Sequence, residues 1–302
     1  MHPAYERQVQ LLIRVLPHAA AEPCFALKGG TAINLFVRDL PRLSVDIDLT
    51  YLPDAERLAA LTHIESALGR IAERVRGTLA GVNVALKRVE EGAIGLIVSV
   101  RGAQVKVEVN PVLRGTVFPP VEMEVRDIVA ERFGFAAVPV VSFADLYAGK
   151  ICAALDRQHP RDFFDIKLLL EQEGLSRELF QAFLVYLISH GSPMAELLAP
   201  RWRDIRREFA TGFEGMTAAP VTVEGLMEIG PRLLTEISRQ FTDREKKFLL
   251  SVKRGEPDWA LLGIDGVERL PAIQWKLHNI RSMSEKNRAD ALRRLEGVLG
   301  SL

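Results

Sequence analysis

Strand-like runs in this chain all fall before about residue 140, and the remainder reads as helix. That asymmetry limits the fold more than any other feature. "CFAL" (24–27), "LSVDIDLTY" (43–51), "VNVALKRV" (82–89), "IGLIVSV" (94–100) and "QVKVEVN" (104–110) carry the β-branched, alternating pattern of strands. Between and before them the spacing predicts helices over 5–16, 31–38 and 54–75. Helices interleaved with strands, then strands in succession, imply a mixed sheet with helices packed on it. After "AVPVVS", helices are expected over "SFADLYAGKICAALDRQ" and then over 161–172, 176–190, 200–210, 222–239, 243–254, 270–281 and 284–299. The expectation is an α+β chain: a mixed-sheet domain flanked by helices over residues 1–140, then an all-α domain over 141–302.

A length of 302 residues allows two domains, and 48% hydrophobic with 26% charged residues is a globular composition. Net charge is zero, so any nucleic acid must be met by a local basic face and not by a globally basic body. The first residues lack the apolar core of a signal peptide, and no apolar run reaches membrane-spanning length. A cytoplasmic location without membrane contact is expected. Cys24 and Cys152 lie in separate elements without metal-ligand spacing, and are expected to be reduced core thiols.

Asp46 and Asp48 sit two apart in one strand run, so their side chains share a face while Val45, Ile47 and Leu49 turn to the other. Two adjacent carboxylates repel, and a divalent cation such as Mg²⁺ relieves that repulsion while accepting phosphate oxygens. A solvated strand face is the plainer explanation of an isolated Asp-x-Asp. Upstream, Gly29 and Gly30 permit backbone conformations closed to other residues, and Thr31 stands where a helix begins. Free N–H groups at a helix start cradle phosphate. An anion cradle and a metal site on consecutive elements suit a nucleotide triphosphate.

Gly-Gly-Thr, a short helix and then "RLSVDIDL" resembles the nucleotidyltransferase core of DNA polymerase β-like enzymes. More narrowly it is similar to the AbiEii/AbiGii toxin family with its MenT-type relatives, whose Arg-x-Ser-x-Asp-x-Asp pattern is matched by Arg42, Ser44, Asp46 and Asp48. The resemblance implies transfer of a nucleoside monophosphate from an NTP, dependent on Mg²⁺ (or Mn²⁺), to an acceptor such as the 3′ end of tRNA or another RNA. It also implies growth arrest, a cognate AbiEi-like antitoxin and a setting in phage defence by abortive infection. A small-molecule or protein acceptor, and a nucleotide-binding regulator that transfers nothing, are the other readings.

Folds of the polymerase β type add a third carboxylate from a neighbouring strand, and "QVKVEVN" offers Glu108. Glu108 would complete the metal cage or take the proton of the attacking hydroxyl, or else simply pair with Lys106 on an exposed strand. "YAGKICAALDRQHPRDFFDIKLLL" resembles the family's later signature through Lys150, Arg161, Asp162 and Asp165. Lys150, Ala154 and Arg157 fall on one helical stripe, where two cations could hold triphosphate oxygens. The plainer alternative is an exposed basic stripe with Arg161 and Asp165 as an i,i+4 ion pair. Lys28 either touches phosphate or merely ends an edge strand. The basic stretches "RWRDIRREF" and "WKLHNIRSMSEKNRADALRR", with Trp202 and Trp275, are either nucleic-acid contacts or solvated helix faces.

Overall fold

The structure, a computed structural model, describes residues 3–88 and 94–302. It divides into two compact units, one of residues up to Ser142 together with Phe213–Pro220, the other of Phe143–Gly212 and Val221–Leu302.

The first unit begins with α1 (Pro3–Ala20), β1 (Phe25–Lys28) and α2 (Gly29–Ala32), which widens into a π-helical turn over Ile33–Val37. There follow β2 (Asp46–Tyr51), α3 (Arg57–Thr78), β3 (Asn83–Arg88), β4 (Ile94–Val100), β5 (Ala103–Val109), β6 (Val121–Glu124), α4 (Asp127–Phe133) and β7 (Ala137–Val140). Val89, the last residue of the strand expected over 82–89, lies outside the described residues. The seven-stranded sheet runs β3-β4-β5-β2-β1-β7-β6. Its β2–β5 and β1–β7 pairs are parallel and the other pairs antiparallel.

The alternation expected of β2 and β5 holds where the core needs it: Ile47, Leu49, Val105, Val107 and Val109 are buried. Helix α1 packs on β5 and β7, and α3 on β3 and β4. The strand expected from residue 43 starts at Asp46, and the preceding Leu43 is buried in irregular chain. Three elements of this unit were absent from the sequence expectation: β6, α4 and β7. "VEME" has little apolar alternation because β6 is an edge strand with mostly exposed side chains. "AVPV" contains Pro139, which argues against an interior strand. Proline is tolerated there because β7 meets β1 at Leu27 opposite Val140, leaving Pro139 outside that pairing. With β7 alongside, β1 is an interior strand, and the edge-strand reading of Lys28 is corrected.

The second unit is helical: α5 (Phe143–Arg157), α6 (Pro160–Gln172), α7 (Arg177–Ser189), α8 (Met194–Leu198), α9 (Arg206–Gly212), α10 (Val223–Met227), α11 (Ile229–Gln240), α12 (Asp243–Arg254), α13 (Pro271–Arg281) and α14 (Glu285–Ser301). Helix α5 packs chiefly on α7 and α6. The single helix expected over 222–239 breaks at Glu228, because Pro231 has no N–H to give the Met227 carbonyl one turn back. The stretch "FTDREKKFLLSVKRGEPDWALL" forms α12 with a Thr242–Glu245 capping box and a left-handed Gly255 at its end. Glu245 also receives Arg177 of α7, tying this helix into the bundle.

Both cysteines are free and buried. Burial pushes the Cys24 thiol up to about 11 and raises Cys152 as well, so both remain thiols at neutral pH. No helix among the described residues is long and apolar enough to cross a membrane.

Candidate active site

In the first unit, the segment that carries the glycines is locked to the start of β2. Gly29 has φ +73, a left-handed conformation that disfavours any side chain. A Cβ there would also lie 2.3 Å from Oδ2 of Asp48, so the carboxylate rests directly against the glycine backbone. At Gly30 a Cβ would meet Nη2 of Arg42 at 2.7 Å and Oγ of Ser44 at 2.9 Å. The two glycines thus clear room for two opposite charges, an aspartate on one side and a guanidinium on the other.

The hydroxyl of Thr31 is fully buried; it donates to the Asp46 carbonyl at 2.5 Å and accepts from the Ser44 hydroxyl, whose Oγ lies 3.1 Å away. Its side chain therefore staples the helix start to β2, which leaves only its backbone N–H to face a ligand. Asn34, fully buried, donates to the Gly30 carbonyl at 2.9 Å. Arg42 and Ser44 are buried too, and Arg42 donates to the Leu43 carbonyl at 3.0 Å. The segment Phe213–Pro220 braces this stretch: Leu43 N–H donates to the Met216 carbonyl at 2.8 Å, and Ala218 N–H to the Pro41 carbonyl at 2.9 Å. Leu40, at φ +53, is a non-glycine in the left-handed region, a strained position held by buried surroundings.

Strand register lines up the charged groups. Asp48 stands opposite Lys28 of β1 on one side and opposite Glu108 of β5 on the other. Lys28, Asp48 and Glu108 therefore form a row across three adjacent strands, at strand spacings of about 4.8 Å. Asp46, two residues before Asp48, shares its face and pairs with Lys106 of β5. Asp46, Asp48 and Glu108 are all partly exposed, in contrast to the buried residues between them. Burial lowers the ammonium of Lys28, and Asp48 beside it acts in the opposite sense.

Among the described residues no group of three or more His, Cys, Asp or Glu side chains is gathered so as to hold a metal ion. Glu108 thus neighbours Asp48 without closing a three-carboxylate cage. Mg²⁺ seldom needs such a cage, since it usually takes one or two carboxylates and fills its shell with water and substrate phosphate. The pair Asp46 and Asp48 fits that requirement.

In the second unit, Lys150 of α5 is buried between two carboxylates of α6, with Nζ 2.8 Å from Asp162 and 3.0 Å from Asp165. Arg157, at the end of α5, grips Asp162 with two bonds of 2.6 and 2.9 Å. Burial would raise the Asp162 carboxyl, but Lys150 and Arg157 together outweigh it and hold it well below the usual carboxylate range. Lys150 is no part of an exposed stripe: its side chain is 6% exposed, against 62% for Arg157. Arg161 donates through Nε to the Gly212 carbonyl at 3.2 Å, and its backbone N–H is capped by His159. Phe163 and Phe164 are core.

Of the C-terminal basic residues, Lys276 is spent internally, donating to the His190 carbonyl at 2.6 Å and lying near those of Gly191 and Ser192. Arg206 is paired with Asp204 and Glu224, and Arg293 with Asp290. Two contributors escaped the sequence reading of the site. Asn34 had a faint signal, a lone amide inside the apolar run "AINLFV". The bracing segment 213–220 had none, since nothing in its composition points to residues 41–43.

The sequence profile of the family described as "Nucleotidyl transferase AbiEii toxin, Type IV TA system" matches residues 10–279. Among solved structures the chain is similar to MenT4, a nucleotidyltransferase toxin from Mycobacterium tuberculosis. The TM-score is 0.62 at 14% identity, over 92% of this chain and 94% of that one, a likeness of fold. Among curated proteins no sequence matches. With the profile spanning most of its length, the chain belongs to the AbiEii family of nucleotidyltransferase toxins of type IV toxin–antitoxin systems.

Proposed function

We propose that this nucleotidyltransferase moves a nucleoside monophosphate from an NTP to a hydroxyl of RNA, with the 3′ end of tRNA as the acceptor the resemblance points to. Family membership itself implies an NTP substrate and an antitoxin partner. The observation that carries the reading is the placement of Asp46, Asp48 and Glu108 on one sheet face, with Asp48 packed against the Gly29 backbone.

In this reading the backbone N–H groups of Gly29, Gly30 and Thr31 seat the phosphates, since the first N–H groups of a helix have no partner within it. Arg42 and Ser44 hold that backbone from behind. Asp46 and Asp48 would hold Mg²⁺ (or Mn²⁺), which when bound neutralises triphosphate charge and polarises the α-phosphorus. The acceptor oxygen attacks the α-phosphorus, a new P–O bond forms, and the bond to the β-phosphate breaks to release pyrophosphate. The hydroxyl proton passes to the carboxylate of Glu108, the acid directly opposite Asp48 in register.

Lys150, Asp162 and Asp165 we assign to fixing the α5–α6 junction, because both carboxylates are fully buried and already engage the ammonium. Arg157, 62% exposed, and Arg161 at the start of α6 are assigned as the anion-binding cations of that junction. The test is incubation with each of four α-labelled NTPs, Mg²⁺, total RNA and lysate protein. Label in RNA supports the reading. Label in protein or in a small acceptor, or pyrophosphate release in none of the reactions, overturns it.

A further inference from the structure

The second unit contains an open cleft of about 840 Å³, distinct from the α5–α6 ion cluster. That volume lies within the range of small-ligand sites, roughly 300–1,000 Å³. Arg201, Trp202, Arg203 and Arg294 line it, together with Asp156 and Glu196. The acids are already engaged: Asp156 accepts the Ser192 hydroxyl at 2.6 Å, and Glu196 lies 3.7 Å from Arg294. Arg201 and Arg203 are exposed, and neither enters an ion pair among the described residues. The charge left over is positive.

The wall that carries these side chains is built. Gln158, buried and at φ +53, uses both ends of its amide on the neighbouring backbone. Its Nε2 donates to the Arg201 carbonyl at 2.9 Å, and the Arg203 N–H donates to its Oε1 at 2.8 Å. A left-handed conformation in a non-glycine residue is strain, and such strain concentrates at functional sites. Trp202, between the two arginines, is 40% exposed. Its six-membered ring lies on Gly230, where an added Cβ would sit 2.3 Å from the indole. Glycine inside α11 is unfavourable for a helix, and the seat for this ring accounts for it.

An indole held on one side and flanked by two unpaired guanidinium groups matches one ligand chemistry, a flat base with phosphates on either side. We propose that this cleft docks an unpaired nucleotide of a single-stranded nucleic acid, base against Trp202 and adjoining phosphates on Arg201 and Arg203. The inference rests on the nucleotidyl-transfer reading for its purpose, as a docking place for the acceptor strand, but binding can be measured without transfer.

The probe is a fluorescently labelled eight-nucleotide single-stranded oligoribonucleotide, titrated with the full chain and followed by polarisation. Trp202→Ala and the double variant Arg201→Ala/Arg203→Ala are each expected to weaken binding about tenfold or more. The double variant should also flatten the salt dependence, while Trp202→Phe keeps most of the affinity. Asp46→Asn should bind like the parent although it transfers nothing, which separates a failure of docking from a failure of the catalytic reading. Gly230→Ala, which displaces the ring while leaving it in the chain, is expected to behave as Trp202→Ala. Unchanged binding in the Trp202 and arginine variants, or an abasic strand of equal length binding as tightly, would overturn the proposal.

Discussion

Replacing Gly29 by alanine perturbs the backbone and the carboxylate together. The left-handed φ of +73 costs an alanine roughly 1–2 kcal/mol relative to glycine. The new methyl would fall 2.3 Å from Asp48 Oδ2, so either the turn or the carboxylate must move by about 1 Å to restore van der Waals contact. In a unit of about 150 residues the strain alone lowers the melting temperature by roughly 2–8 °C. A misplacement of about 1 Å at a reacting centre costs about a hundredfold in rate. The assay is release of pyrophosphate from labelled NTP with total RNA, run beside thermal unfolding. Gly29→Ala is expected to lose about a hundredfold in turnover while remaining folded. Turnover within about threefold of the parent would refute the idea that the glycine exists to seat Asp48.

Three further outcomes rest on the same geometry. Lys150→Met leaves Asp162 and Asp165 buried without their shared ammonium and should destabilise the chain by about 3–5 kcal/mol in urea unfolding. Adding Asp162→Asn and Asp165→Asn should return much of that loss, and no recovery would count against the pairing. The depressed Asp162 carboxyl contributes stability that is fully present above its unfolded value near pH 4 and is lost as pH falls toward the folded one. Unfolding midpoints between about pH 5 and 3 should therefore drop more steeply for the parent than for Asp162→Asn. Thr31→Val keeps the volume but removes the buried donor to the Asp46 carbonyl, a cost of about 1–3 kcal/mol, with turnover falling as β2 loosens from the helix start.

Much of this site is written in short-range pattern. Asp46 and Asp48 share a face because strand side chains alternate, and β5 repeats that alternation with three buried valines around Glu108. Whether Glu108 stands beside Asp48 depends instead on which strands pair and in what register, which is decided by the whole sheet. The parallel β2–β5 pairing joins strands separated by a helix and two further strands, so no local signal carries it. Lys150 illustrates the opposite limit. Its helical stripe was legible, but stripe position does not tell a solvated lysine from one enclosed by two carboxylates of the next helix. The short strands β6 and β7 escaped because one is a polar edge and the other holds a proline. Residues 213–220 escaped because their partners lie roughly 170 residues earlier and the contact is made by backbone groups, which every sequence has.

The most direct measurement compares the parent with Asp46→Asn and Asp48→Asn for pyrophosphate release and RNA labelling from α-labelled NTP, with unfolding curves recorded on the same preparations. Both variants should unfold cooperatively near the parent temperature and transfer no label. Persistent transfer by either folded variant would contradict the assignment of these two carboxylates as the seat of the chemistry.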